Sequence, residues 1–176
     1  MRVDFVVKIE VNKYRGEMKK LLTAFKNFIN PNEFSSDVPE DVKCVVIGLI
    51  KDLSFWEMGM FRSHKTSLGW YDTVIPYEGK QLEEIMQKWC TDDVIIYESF
   101  GFPLKHDPQT ERIIGFSKRK SMCAVRTIYS YTINDSKGIS SSYDTHYEYL
   151  LQLVNNEWKV DSLWILHDAG GKSRYF

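Results

Sequence analysis

The residues from Tyr147 to Leu166 constrain the fold of this chain more than any other stretch. Tyr147-Glu148-Tyr149-Leu150-Leu151-Gln152-Leu153-Val154 is an apolar and aromatic run. It meets Asn155-Asn156-Glu157 and then a second run, Trp158-Lys159-Val160-Asp161-Ser162-Leu163-Trp164-Ile165-Leu166. Asparagine tolerates a positive φ better than most residues, so the Asn pair can reverse the chain tightly. Two such runs around such a turn predict adjacent antiparallel strands with Trp158 in the core. A chain ending in a long hairpin must cover at least one face of it, and the preceding residues supply the cover.

That cover reads as helical. Met18, Leu21, Leu22, Phe25, Phe28 and Ile29 recur at three-and-four spacing between Asn12 and Pro31. A second stripe runs through Val42, Val45, Val46, Leu49, Ile50 and Leu53. It starts near Pro39, with Ser36 or Asp37 available as cap and Glu40 and Asp41 suited to the positive end of the helix dipole. A shorter helix is expected over about 80–89, with Leu82, Ile85, Met86 and Trp89 inward. The stretch between, Phe55 to Tyr77, reads as irregular and aromatic, and Trp70-Tyr71-Asp72 falls in it as a loop.

Strict alternation marks the strands. Val3, Phe5, Val7, Ile9 and Val11 predict an N-terminal strand over 2–11, and Val94–Tyr97 predict another. Residues from about 112 to 133 read as one long strand or two, with Lys118-Arg119-Lys120 at a hairpin tip. Asn134-Asp135-Ser136-Lys137-Gly138 is a turn cluster. Helices first and strands later predict a single α+β domain over 1–176. Its helices pack on one face of a strongly curved antiparallel sheet, with an extra N-terminal strand. At 176 residues and 43% hydrophobic, the chain has enough apolar side chain for one core.

Composition narrows the function classes. A net charge of −1 gives no general attraction to nucleic acid, and no apolar run approaches a membrane span. The alternating N-terminus lacks the uninterrupted apolar stretch of a secretory signal, so a cytoplasmic location is expected. Cys44, Cys90 and Cys123 are too scattered for a disulfide framework or a zinc site and read as reduced thiols. The histidines, His64, His106, His146 and His167, lack metal-ligand spacing. No metal site, cofactor or catalytic set is expected. His106-Asp107 and His167-Asp168 put an acid beside an imidazole. Neighbours on a strand point to opposite faces, so these pairs read as surface polar residues.

Charge is uneven along the chain. Residues 31–58 hold Glu33, Asp37, Glu40, Asp41, Asp52 and Glu57 against Lys43 and Lys51. An acidic face of this kind steers a basic partner and mimics phosphate. The candidate partner-binding residues are therefore Glu33, Asp37, Glu40, Asp41 and Glu57. Trp56, Trp70, Tyr71 and Asp72 join them as anchors and pocket-mouth residues. Tyr71 and Asp72 are also types that enolisation or dehydration would use.

Tyr147-Glu148-Tyr149-Leu150-Leu151, the two-Asn turn and Trp158-Lys159-Val160-Asp161-Ser162 resemble the closing hairpin of the nuclear transport factor-2-like superfamily. The wording is similar to its bacterial toxin-immunity members. The resemblance implies a cone-like fold. It also implies a protein that binds and neutralises a cognate toxin domain without a cofactor. The alternative it leaves open is a small-molecule isomerase or dehydratase with acid/base residues in the cone pocket. The chain departs from that family by beginning with a strand-like segment rather than a helix. A homodimer is compatible with either reading.

Overall fold

A computed structural model describes residues 34–66, 70–92, 94, 106–134, 137–167 and 171–174, apart from the side chains of 61–66, 70–78 and 174. The expected strand 2–11, the helix over 18–29, most of the strand over 94–97, and Glu33 lie outside the described residues.

Among the described residues two helices precede five strands: α1 (Glu40–Thr66), α2 (Trp70–Trp89), β1 (Glu111–Arg119), β2 (Met122–Asn134), β3 (Ser140–Val154), β4 (Glu157–Leu166) and β5 (Lys172–Arg174). The strands form one antiparallel sheet in the order β1-β2-β3-β4-β5, curled into a half-barrel. The fold is α+β with helices against a strongly curved sheet. Among the described residues no helix is long and apolar enough to cross a membrane.

Helix α1 forms because its buried positions keep a helical repeat for about five turns. Val42, Val46, Leu49, Ile50, Leu53, Trp56 and Met60 are all buried. The backbone carbonyl of Pro39 accepts the first helical bond from the Lys43 N–H at 3.0 Å. Pro39 thus holds the cap position rather than Ser36 or Asp37. The helix runs through Phe55 to Thr66, where an irregular stretch was expected. Helix α2 likewise starts at Trp70, ten residues before the expected start at Lys80, and passes through Pro76 and Gly79. The two helices pack closely at Gly48, against which the Trp89 ring lies. The Trp89 indole N–H donates to Asp52 Oδ2 at 2.7 Å.

The hairpin β3–β4 has the expected form. Asn155 and Asn156 both have positive φ, 50° and 65°, and Trp158 is 6% exposed. Its alternation is broken once. The register shifts between the Leu150–Ser162 and Leu151–Val160 pairs, leaving Asp161 as the extra residue. Trp158 and Val160 face the core before the shift, and Leu163 and Ile165 after it. A similar shift in β1 leaves Ile114 unpaired and lets both Ile113 and Phe116 face inward.

The main core lies between the helices and the inner face of the sheet, where Cys123, Val125, Tyr129, Tyr147, Tyr149 and Leu151 meet α1 and α2. A smaller cluster on the outer face joins Ala124 and Leu150 to Phe34, Met122 and Trp164. A paired carboxylate completes that outer face. Glu148 is 1% exposed and takes hydrogen bonds from Arg126 Nε, at 2.9 Å, and from Lys172 Nζ.

Candidate functional site

The inner face of the sheet carries a buried polar network that no local sequence pattern announces. Glu111, on β1, is its centre. Its Oε1 accepts hydrogen bonds from Thr127 Oγ1 at 2.6 Å and from the Tyr149 hydroxyl at 2.8 Å. Its Oε2 lies 3.2 Å from His106 Nδ1. The His106 backbone N–H donates to Glu57 Oε2 at 3.1 Å, which ties α1 to the entry of β1. The imidazole stacks on Tyr147, with ring centroids 5.3 Å apart. Alternation on three neighbouring strands puts Glu111, Thr127, Tyr147 and Tyr149 on one face.

His106 was expected at the surface beside Asp107. It is fully buried, and its carboxylate partner is Glu111, five residues on. Asp107 instead caps the turn into β1, accepting from the Gln109 N–H at 2.8 Å. A buried carboxylate is stable only when its lone pairs are filled, and Glu111 takes three contacts. An imidazole, a carboxylate and a phenol at these distances are the parts of a proton-transfer site. Here the phenol's proton is already committed to the carboxylate. Burial and the adjacent Glu111 hold the Tyr149 hydroxyl well above the usual tyrosine range.

The acidic end of α1 is arranged differently from a simple charged face. Asp37, Glu40 and Asp41 are exposed. Glu40 pairs with Lys43 at 3.4 Å. Asp41 Oδ2 accepts from the Trp158 indole N–H at 3.0 Å, and Lys118 of the basic triplet sits 5.2 Å over the Trp158 ring. Acidic and basic groups therefore share this end of the molecule. Trp56 and Glu57 do not belong to its surface. They are 2% and 7% exposed, because the helical repeat turns them toward the sheet and turns Phe55 out to 72%. Trp70, Tyr71 and Asp72 occupy the first turn of α2 rather than a loop.

A third feature lies at the opposite end of the sheet. Pairing of β1 with β2 stops at Glu111–Tyr129, and pairing of β3 with β4 stops at His146–Leu166. Beyond those limits, among the described residues, Ser130–Asn134 and Ser140–Asp144 pair with each other alone. This two-stranded arm is two-faced. On one side Ser130 Oγ donates to Asp144 at 2.6 Å, Thr132 meets Ser142 at 3.3 Å, and Ser140 Oγ donates to Asn134 at 2.6 Å. On the other, Tyr129, Tyr131 and Tyr143 stack in sequence with centroids 5.3 and 5.5 Å apart. Tyr143 is 48% exposed, and Ile139 at the turn is 59% exposed.

Among the described residues no group of three or more His, Cys, Asp or Glu is placed to hold a metal ion. No protein-family model, curated protein or solved structure matches the chain.

Proposed function

We propose that this protein works by binding another protein, and that its partner is a toxin domain which it neutralises. The observation that carries the binding reading is the arm. Among the described residues a short ribbon extends past both neighbouring strands, with its polar face closed by its own hydrogen bonds and, on the other, a half-exposed Tyr143 stacked on Tyr131. Tyrosine gives a large contact area with little side-chain entropy to lose, and it is enriched among residues that dominate binding energy. The likeness of the Tyr147–Ser162 hairpin to toxin-immunity proteins supports a toxin as the partner. Asp37, Glu40 and Asp41 supply the charge that steers a basic target. A homodimer is part of the same reading.

The test takes as partner a toxin domain whose reading frame neighbours the gene for this chain, and the lack of any such frame would itself count against the toxin reading. Tyr131→Ser and Tyr143→Ser should each weaken its binding by about tenfold or more, because central aromatic truncations cost at least 1–2 kcal/mol. Unchanged affinity in both variants would remove the arm from the interface, and absence of binding by the parent chain would remove the toxin reading.

The buried His106–Glu111 pair favours one second reading, an isomerase or dehydratase that moves a proton on a small molecule. His106→Ala would then abolish turnover. In the binding reading the same variant loses stability but retains partner affinity in whatever fraction folds.

A further inference from the structure

Helix α1 is 27 residues long, about 40 Å, and its outward side is not polar throughout. Ile47 is 38% exposed, Phe55 72% and Met58 37%, and Cys44 is exposed with them. At about 100° per residue these side chains fall within one stripe that also carries Glu40 and Lys51. Their spacing is symmetric about Lys51. Ile47 and Phe55 stand four residues to either side, Cys44 and Met58 seven, and Glu40 and Arg62 eleven. The apolar pairs match in kind across the centre. The outermost pair is opposite in charge, and the helix as a whole begins with Glu40 and Asp41 and ends with Arg62, His64 and Lys65.

A stripe that is symmetric in apolar character and antisymmetric in charge complements itself when a second copy is laid antiparallel on it. A two-fold axis at residue 51 brings residue i opposite residue 102 − i of the other copy, and the reverse contact follows by symmetry. Ile47 then meets Phe55, Cys44 meets Met58, and the acidic first turn meets the position of Arg62. An unrelated partner would not require this symmetry.

We infer that the outward face of α1 is the interface of a homodimer, formed by antiparallel pairing of two α1 helices about an axis at Lys51. This takes up the homodimer of the protein-binding reading and uses a surface separate from the tyrosine arm, so both contacts can be made together. A single helix stripe covers less than the roughly 800 Å² per partner of a standard interface, the size at which weak, transient contacts are found. Lys51 meets its own copy at the axis. The two ammonium groups reach sideways to water, and their repulsion weakens the pair.

Sedimentation velocity over about 1–500 μM, the range that spans micromolar dissociation, tests this on the full chain. The parent chain should shift from monomer to dimer within it. Phe55→Glu should remain monomeric, and because Phe55 is exposed its thermal midpoint should match the parent. Lys51→Leu, which removes the repulsion and adds apolar contact, should dimerise at about tenfold lower concentration. Glu40→Arg should weaken the dimer, and adding Arg62→Glu should restore it. Under mild oxidation Lys51→Cys should form a disulfide-linked dimer. The native Cys44 should not, since its two copies stand about 21 Å apart along the axis, beyond disulfide reach. A parent chain monomeric throughout would overturn the inference. So would a dimer indifferent to Phe55→Glu and Lys51→Leu. Tyr143→Ser should leave this equilibrium unchanged while weakening the toxin contact, so the two readings fail separately.

Discussion

Asp41 and Trp158, 117 residues apart, are joined by a 3.0 Å hydrogen bond from the indole N–H to the carboxylate. It fastens the first turn of α1 to the start of β4, and the indole body fills the core beside it. Trp158→Ala should therefore cost about 3–5 kcal/mol, the usual range for a buried aromatic. Asp41→Ala should cost about 1–2 kcal/mol, because it leaves the indole N–H without that acceptor. Urea denaturation checks both, and equal midpoints for parent and Trp158→Ala would contradict the placement. It follows that charge reversal at Asp41 perturbs stability as well as steering. Asp37, which lies before α1, is the cleaner probe of association rate.

Gly48 is the close approach of α1 to α2. A Cβ there would lie 2.3, 2.5 and 2.9 Å from three carbons of the Trp89 ring. The ring cannot easily yield, since its N–H is held by Asp52 and Lys88 bonds the same carboxylate oxygen at 2.9 Å. Alanine in place of a helical glycine normally gains about 1 kcal/mol. Here overpacking of about 1–3 kcal/mol opposes that gain and should exceed it. Gly48→Ala should destabilise the parent but stabilise a Trp89→Leu background. The same sign in both backgrounds would show that the ring is not the obstacle.

What the sequence reveals follows from how local each determinant is. The hairpin at Asn155-Asn156 is set by neighbouring residues and was legible, as was the apolar stripe from Val42 to Leu53. The helices beyond Leu53 and before Lys80 were not. Pro76 and Gly79 read as helix breakers, and an aromatic run reads as irregular unless its helical phase is already known. That phase decides between Phe55 and Trp56: one step around the helix exchanges an exposed ring for a buried one. The bulges at Ile114 and Asp161 each reset strand alternation by one residue, and composition does not mark them. The His106–Glu111–Tyr149 network depends on the register of three strands, which no window of sequence contains.

The three cysteines should differ sharply in reactivity. Cys44 is exposed, while Cys90 and Cys123 are buried. Burial is the main cause that pushes the Cys123 thiol up to about 12 and raises Cys90 further. The thiolate is the reactive form, so both are protected by access and by protonation. A disulfide reagent at neutral pH should titrate one thiol in the native protein and three in denaturant. Rapid native reaction of two or three would mean that the core opens readily.

Glu111 should be the most sensitive position in the polar network. Glu111→Leu keeps the volume roughly but leaves Thr127 and Tyr149 without their acceptor and His106 without its carboxylate. Breaking a buried charged network typically costs about 3–5 kcal/mol. Glu111→Gln retains an acceptor oxygen and should lose less. Restoring stability in a Glu111→Leu background by Thr127→Val and Tyr149→Phe would show that the stranded donors carry the cost. If the triple variant is no more stable than Glu111→Leu alone, the network is not what holds β1 to β3.

The same tyrosines set the behaviour of the fold in alkali. Tyr129 is 5% exposed, and its hydroxyl is pushed up to about 12, first by burial and then by Asp107, Glu57, Tyr131 and Glu111. Tyr149 is raised for the same first reason, then by Glu111, whose carboxylate takes its hydrogen bond. An unfolded tyrosine releases its proton near pH 10. Above that pH the unfolded chain holds fewer protons than the folded one, so stability falls as pH rises. The contribution is complete below pH 10 and, for Tyr129, is lost as pH approaches 12. Urea midpoints measured from pH 7 upward should begin to decline at about pH 9, where the unfolded Cys90 and Cys123 thiols ionise, and should fall more steeply above pH 10, where the tyrosines add to the loss. Tyr129→Phe should flatten part of that decline, and Tyr149→Phe should flatten it further while lowering stability at pH 8, where its hydrogen bond is missing. A decline of the same slope in parent and both variants would assign the alkaline loss to the buried thiols instead.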